Sequence, residues 1–223
     1  MIWRQKMIIN IDAVIKQLKE KRKVFVSEAD FQLELAWVIK ELYPSYRVRM
    51  EYCPSFDRKM HIDILVFTEN GLIPIELKYK TKGCTIIDNA ETFVLANHSA
   101  KDVNCYLYLK DIQRIEQIRD KDESFLEGYT IMLTNDKTYL KKPQKTDCVY
   151  AQFSIHNNAI KRGTMCWNAN ASAGTTRGNE KPITLIDDYS IKWKHYSEID
   201  NTPAGNFYYL VNKVNKKVSI IEK

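Results

Sequence analysis

The patterning of the chain predicts a mixed α/β fold, an α+β arrangement with one central mixed sheet flanked by helices. Three observations predict it. Between residues 27 and 135 the apolar periodicity runs helix, strand, strand, strand, helix, strand, an order that places helices on the faces of a single sheet. Residues 61–67 are nearly all apolar apart from His61 and Asp63, as a strand buried on both faces would be. The Asn70-Gly71 pair that follows is a tight-turn signal, so residues 72–79 return as the second arm of a hairpin.

Each element has its own signal. In residues 10–22, Ile11, Val14, Ile15 and Leu18 fall at helical spacing above a basic far face. Ser27 can cap a second helix over 28–42, Asp30 places a negative charge in its first turn, and Pro44 stops it. The apolar stripe of that helix is Phe31, Leu35, Val38, Ile39 and Leu42. Residues 46–52 alternate as a strand. Pro74 implies either that its missing amide is not needed by the ladder or that a bulge occurs there. A long helix is expected over 100–119, with Val103, Leu107, Ile112, Ile115 and Ile118 inward and Lys101, Lys110, Arg114 and Arg119 on a charged outer face. Residues 129–134 read as a buried strand ending at Asn135-Asp136.

The last third changes in texture. Residues 168–179 are small, polar and turn-rich, hence a loop, with strand patterns over 149–155, 183–186, 191–193 and 207–211. No linker marks a boundary, so the expectation is one domain over 1–223. Within it, 27–135 is the core and 140–223 a β-rich extension that lengthens the sheet and contacts substrate.

Composition narrows the function classes. Hydrophobic residues at 44% and charged residues at 28% exclude a disordered or collagen-like chain. No window approaches the ~18 consecutive apolar residues of a membrane span. The charged start, residues 1–6, has no apolar run or small-residue cleavage site behind it, and the expectation is a cytoplasmic protein. A net charge of +6 suits a polyanionic partner such as nucleic acid. Cys53, Cys84, Cys105, Cys148 and Cys166 are scattered, odd in number and form no CxxC pair, which points to reduced thiols. Phosphate-loop, zinc-ligand and GxSxG spacings are absent from the sequence, so an ATP-driven motor and a serine hydrolase are not expected.

The chemistry concentrates between residues 61 and 80. Asp63 interrupts an apolar strand, where an ionised carboxylate is costly unless it meets a cation or a donor. Glu76 does the same in the next strand, and Lys78, two residues on, projects from the same face. If the hairpin pairs the two strands, Asp63 reaches the same spot. Two carboxylates there make a hard-oxygen site fit for Mg²⁺, and a lysine beside them can orient or deprotonate a water or stabilise charge on a phosphate. The alternative readings are a structural ion pair, or a different strand register that places the acids in solvent.

Asp63, the hairpin and Glu76-Leu77-Lys78 resemble the core motif of the PD-(D/E)XK, or restriction-endonuclease-like, nucleases. The element order of residues 27–135 is similar to that family's αβββαβ core. Ile62 stands where the motif's name has proline. The resemblance implies hydrolysis of phosphodiesters, DNA before RNA, with Asp63 and Glu76 holding Mg²⁺, or Mn²⁺ in its place, and Lys78 assisting the attacking water. The family often adds an acid from the helix before the first strand. Glu28 lies on the N-terminal extension of the apolar stripe, beside Gln32, and is preferred. Glu34, about 100° from the stripe's centre, is the fallback. The resemblance does not reach residues 140–223.

Outside the motif, Lys101, Lys110, Arg114 and Arg119 can line the substrate groove of that fold, against the default reading of a charged outer face. Lys80 shares a face with Lys78 and can touch a substrate phosphate or simply be solvated. Lys192 and Lys194 interleave with Trp193 and Tyr196, a composition suited to phosphate contact and base stacking, although a half-buried strand explains it equally. Arg177 sits in a glycine-flanked loop that can contact an anion. His61 can hydrogen-bond a phosphate, against the plainer reading of a half-buried strand histidine. Competing expectations are a catalytically silent protein of this fold that binds nucleic acid or a partner protein, and a toxin- or defence-associated nuclease whose partner selects the target. A twofold homodimer would suit two cuts in a duplex, though no dimerisation surface is legible in the sequence.

Overall fold

The computed structural model describes residues 8–145 and 147–217, so the charged start and positions 218–223 of the C-terminal extension lie outside the described residues. The elements follow in the order α1 (Ile11–Lys21), α2 (Glu28–Leu42), β1 (Arg47–Tyr52), β2 (Ile62–Thr68), β3 (Gly71–Lys80), β4 (Cys84–Asp88), β5 (Glu91–Leu95), α3 (Lys101–Lys121), β6 (Glu127–Thr134), β7 (Ile160–Met165), α4 (Ala173–Thr176), β8 (Ile183–Ser190), β9 (Lys194–Glu198) and β10 (Asn206–Asn215). Six strands make one mixed sheet in the order β1-β2-β3-β6-β10-β9. Its neighbours pair antiparallel except β3 and β6, which are parallel and joined by the α3 crossover.

Helices cover both faces. The Asn10 side chain accepts the Ala13 amide to cap α1, and Ser27 accepts the Asp30 amide at 3.1 Å to cap α2. Val14, Leu18, Phe31, Leu35 and Ile39 then pack with Ile73, Ile75, Leu77 and Tyr79 of β3. On the opposite face α3 lies against β3 and β6, and the β7–β8 hairpin lies over α3. Alternation along β3 therefore turns Glu76, Lys78 and Lys80 towards α3.

Two backbone details set the hairpin that carries the site. Gly71 has φ +151°, and a Cβ there would sit 2.0 Å from the Ser124 carbonyl, so only glycine fits the turn. Leu72 pairs with Phe125 but Ile75 pairs with Tyr129, so β6 holds one residue more than β3 between these points. Pro74 lies opposite that extra residue, in a stretch where the β3–β6 ladder is interrupted and its missing amide is tolerated.

Several expectations are corrected. Residues 149–155 form no strand. A 3₁₀ turn over Ala151–Phe153 folds there, and Phe153 packs edge-on against both Tyr106 and Trp167, so the alternation reflects packing under a loop. Residues 191–193 are not a strand either. Ile191 bonds only to the 158–159 turn, and β9 begins at Lys194. The loop at 168–179 contains the short α4, capped by Ser172. The extension is divided: β9 and β10 lengthen the sheet, whereas β7 and β8 form a separate two-stranded ribbon. Leu42 is 37% exposed, and Val103 and Leu107 are half-buried, because the deepest face of α3 runs through Tyr108, Asp111, Ile112 and Ile115. Arg119 belongs to no outer face. Its side chain is buried against Asp120 and Asp187. Among the described residues no helix is long and apolar enough to cross a membrane.

Candidate active site

The site begins where β2 leaves β3. Pairing runs from Thr68 opposite Gly71 to Ile64 opposite Ile75 and stops there. Beyond it, the amides of buried Leu77 and Tyr79 face a gap that no strand fills, and an unpaired buried amide is costly. Two carboxylates fill the gap instead. Asp63 Oδ2 accepts the Leu77 amide at 2.6 Å, and Glu28 Oε2 accepts the Tyr79 amide at 2.7 Å. Gln32 Nε2 donates to the Asp63 carbonyl at 2.6 Å and to Glu51 Oε1 at 2.9 Å, tying α2 to the diverging strand.

The other half of the site lies between β3 and α3. Glu76 is fully buried, and its Oε1 accepts from Arg114 Nη1 at 2.9 Å. Arg114 also lies 3.5 Å from Asp111 Oδ1, one helical turn earlier. The Lys78 ammonium forms an ion pair with Asp111 Oδ2 at 2.5 Å and donates to the Leu77 carbonyl at 3.0 Å. Lys80 pairs with Glu28 at 2.9 Å. Glu76 Oε2 is buried and has no hydrogen-bond partner among the described residues.

Charge and burial set the protonation states. Burial pushes the Asp63 carboxyl above its usual range, against the pull of Lys78 and the Leu77 amide. Burial, reinforced by Asp111 and only partly offset by Arg114, raises Glu76 well above an ordinary glutamate. Burial disfavours the Lys78 ammonium, but Asp111, Asp63 and Glu28 outweigh it and hold the amine protonated, above its usual value. Lys78 therefore stands as a positive charge at neutral pH.

Glu28, Asp63, Glu76, Lys78 and Lys80 are thus brought into one cluster. Glu34 is not in it, because Arg22 holds it at 3.0 Å on the α1 side. Arg177 is exposed at the end of α4, and Lys192 is exposed between β8 and β9. Lys194 pairs with Asp12 on the sheet's edge strand, with β10 and β6 between it and β3. His61 precedes β2 and is exposed, so it is no half-buried strand residue, and only its carbonyl turns inward, towards Arg114. Asp111 and Arg114 were missed from the sequence. The available signal was an aspartate within the Tyr108, Ile112, Ile115 stripe, and the cation three residues on was assigned to the outer face.

Among the described residues no three His, Cys, Asp or Glu side chains form a ready cation cage, because a cation or an amide is set against each of these carboxylates. The chain matches no family model and no curated protein.

Proposed function

We propose that the protein is a metal-dependent nuclease of the PD-(D/E)XK type that hydrolyses phosphodiester bonds, in DNA more readily than in RNA. The observation that carries this reading is the buried Glu76 Oε2, a hard-oxygen donor beside Asp63 and Asp111 with no hydrogen-bond partner among the described residues. The donor set fits Mg²⁺ or Mn²⁺, and Asp63 and Glu76 are the residues that would hold the ion. When bound, the ion supplies Lewis-acid stabilisation of charge on the phosphate and lowers the pKa of water.

The chain's own groups do the rest. Lys78, kept protonated by Asp111, offers a positive charge to the phosphoryl oxygens as negative charge builds there. Arg114 holds one oxygen of Glu76 and leaves the other free. Glu28 fixes Lys80 and the Tyr79 amide, which keeps the rim of the gap in place. The element order α2-β1-β2-β3, then α3-β6, also agrees with the expected core, with the β4–β5 hairpin inserted.

A second reading, a silent protein of this fold that only binds nucleic acid, draws on the cations already set against Glu28, Glu76 and Asp111. Cleavage of duplex DNA, single-stranded DNA and RNA with Mg²⁺ or Mn²⁺ separates the two. Activity in the wild type that disappears in Asp63→Ala and Lys78→Ala is expected. Equal activity in all three proteins removes the nuclease assignment, and salt-dependent binding without cleavage under either metal selects the silent reading.

A further inference from the structure

The partly exposed face of α3 that carries Arg114 extends beyond the carboxylate cluster. Lys110, Gln113, Arg114 and Gln117 stand at spacings of three and four along it and line a cavity of about 570 Å³. Lys59, from the loop before β2, and Lys181, after α4, close the cavity from the other side. Its two acidic residues bond to the backbone of their own turns: Asp57 Oδ1 accepts the Lys59 amide at 3.0 Å, and Glu180 Oε1 accepts the Gly178 amide at 2.7 Å. Among the described residues no carboxylate forms an ion pair with Lys59, Lys110 or Lys181. The wall is firm, because Tyr106 donates to the Lys181 carbonyl at 3.0 Å and stacks on Trp167.

We infer that this cavity is a binding subsite for the sugar-phosphate backbone of a single nucleic-acid strand leading away from the carboxylate cluster. The inference rests on the nuclease reading for its direction, and Arg114 makes the connection: it lines the cavity and bonds Glu76. Lys110 lies one helical turn from it, about 6 Å along the axis, a spacing suited to successive phosphates. Lysines that face no carboxylate favour a polyanion, and the Gln117 amide adds a donor that phosphate oxygens accept, whereas Gln113 already donates to the Thr184 carbonyl at 3.1 Å.

The test is binding of a fluorescent single-stranded DNA oligonucleotide in EDTA, where cleavage does not intervene, over a series of salt concentrations. Lys110→Gln/Lys181→Gln is compared with Lys16→Gln/Lys19→Gln on α1, and thermal melting checks that both pairs fold. The cavity pair is expected to bind about tenfold more weakly and to lose about 1.4 from the salt slope, roughly 0.7 per phosphate contact, while the α1 pair binds as wild type. Absence of binding by the wild type, or equal weakening in both pairs, overturns the subsite. Wild-type binding without cleavage when Mg²⁺ is restored overturns the nuclease reading and leaves the subsite standing.

Discussion

Asp63 Oδ2 accepts the Leu77 amide at 2.6 Å across the point where β2 and β3 part. The carboxylate thus stands in for a strand, and its structural and chemical roles can be separated. Asp63→Ala leaves the amide buried and unpaired, a cost of ~1–3 kcal/mol. Asp63→Asn retains an acceptor oxygen and most of that stability but loses the negative charge a cation needs. Urea unfolding should therefore distinguish the two variants, while cleavage is lost in both. An active Asn variant would show that the charge is dispensable.

Glu76 sets function against stability. Its folded pKa lies above the unfolded value, so its contribution is full below the unfolded pKa near ~4.3 and is lost as pH rises through the folded pKa. Glu76→Gln removes that penalty. Its melting temperature should equal wild type near pH 4 and exceed it at pH 8 by about 2–4 °C for each kcal/mol relieved. Activity should vanish in the same variant. A lower melting temperature at pH 8 would mean that the Arg114 pair outweighs the cost of burial.

Lys78 gives a prediction about the shape of the pH–rate profile. The ammonium is held charged by Asp111, so cleavage should rise with pH as Asp63 and Glu76 ionise and then stay flat to about pH 10. Asp111→Asn weakens that hold and should bring an alkaline fall to lower pH. Rates in Mg²⁺ across the range give the answer: a rate that keeps rising through the alkaline range would make Lys78 a base, and an alkaline fall near neutrality in the wild type would show that Asp111 does not hold the ammonium charged.

The residues legible in sequence were those whose charge breaks a simple period. Asp63 and Glu76 stand out because each interrupts an apolar strand, and Glu28 because its helix shows one clear stripe. α3 offered no such contrast. It is pressed between the sheet and the β7–β8 ribbon, so Asn104, Asp111, Glu116 and Arg119 are buried along with its isoleucines, and no polar face frames them. The β4–β5 hairpin escaped for another reason. Its turn puts Asn89 and Ala90 at positive φ, where glycine would have announced it. In the last third, short-range alternation also describes a 3₁₀ turn packed on aromatic rings, and period alone cannot tell the two apart.

The position of α3 can be probed without touching a charge. A Cβ on Gly128 would lie 2.3 Å from Ile115 Cγ2 and 3.2 Å from Pro74 Cγ, so Gly128→Ala pushes α3 away from β6 and crowds Pro74 of β3. Ile115 follows Arg114, and Pro74 is two residues before Glu76, so the strain falls on the elements that bring Arg114, Asp111, Glu76 and Lys78 together. Overpacking of this kind costs ~1–3 kcal/mol. The variant should fold with a lowered melting temperature and lose a larger share of cleavage than of oligonucleotide binding, because the chemistry depends on sub-ångström placement and phosphate contacts do not. Equal losses in both assays would indicate global destabilisation, and adding Ile115→Ala to Gly128→Ala, which removes the opposing methyl group, should then restore neither selectively.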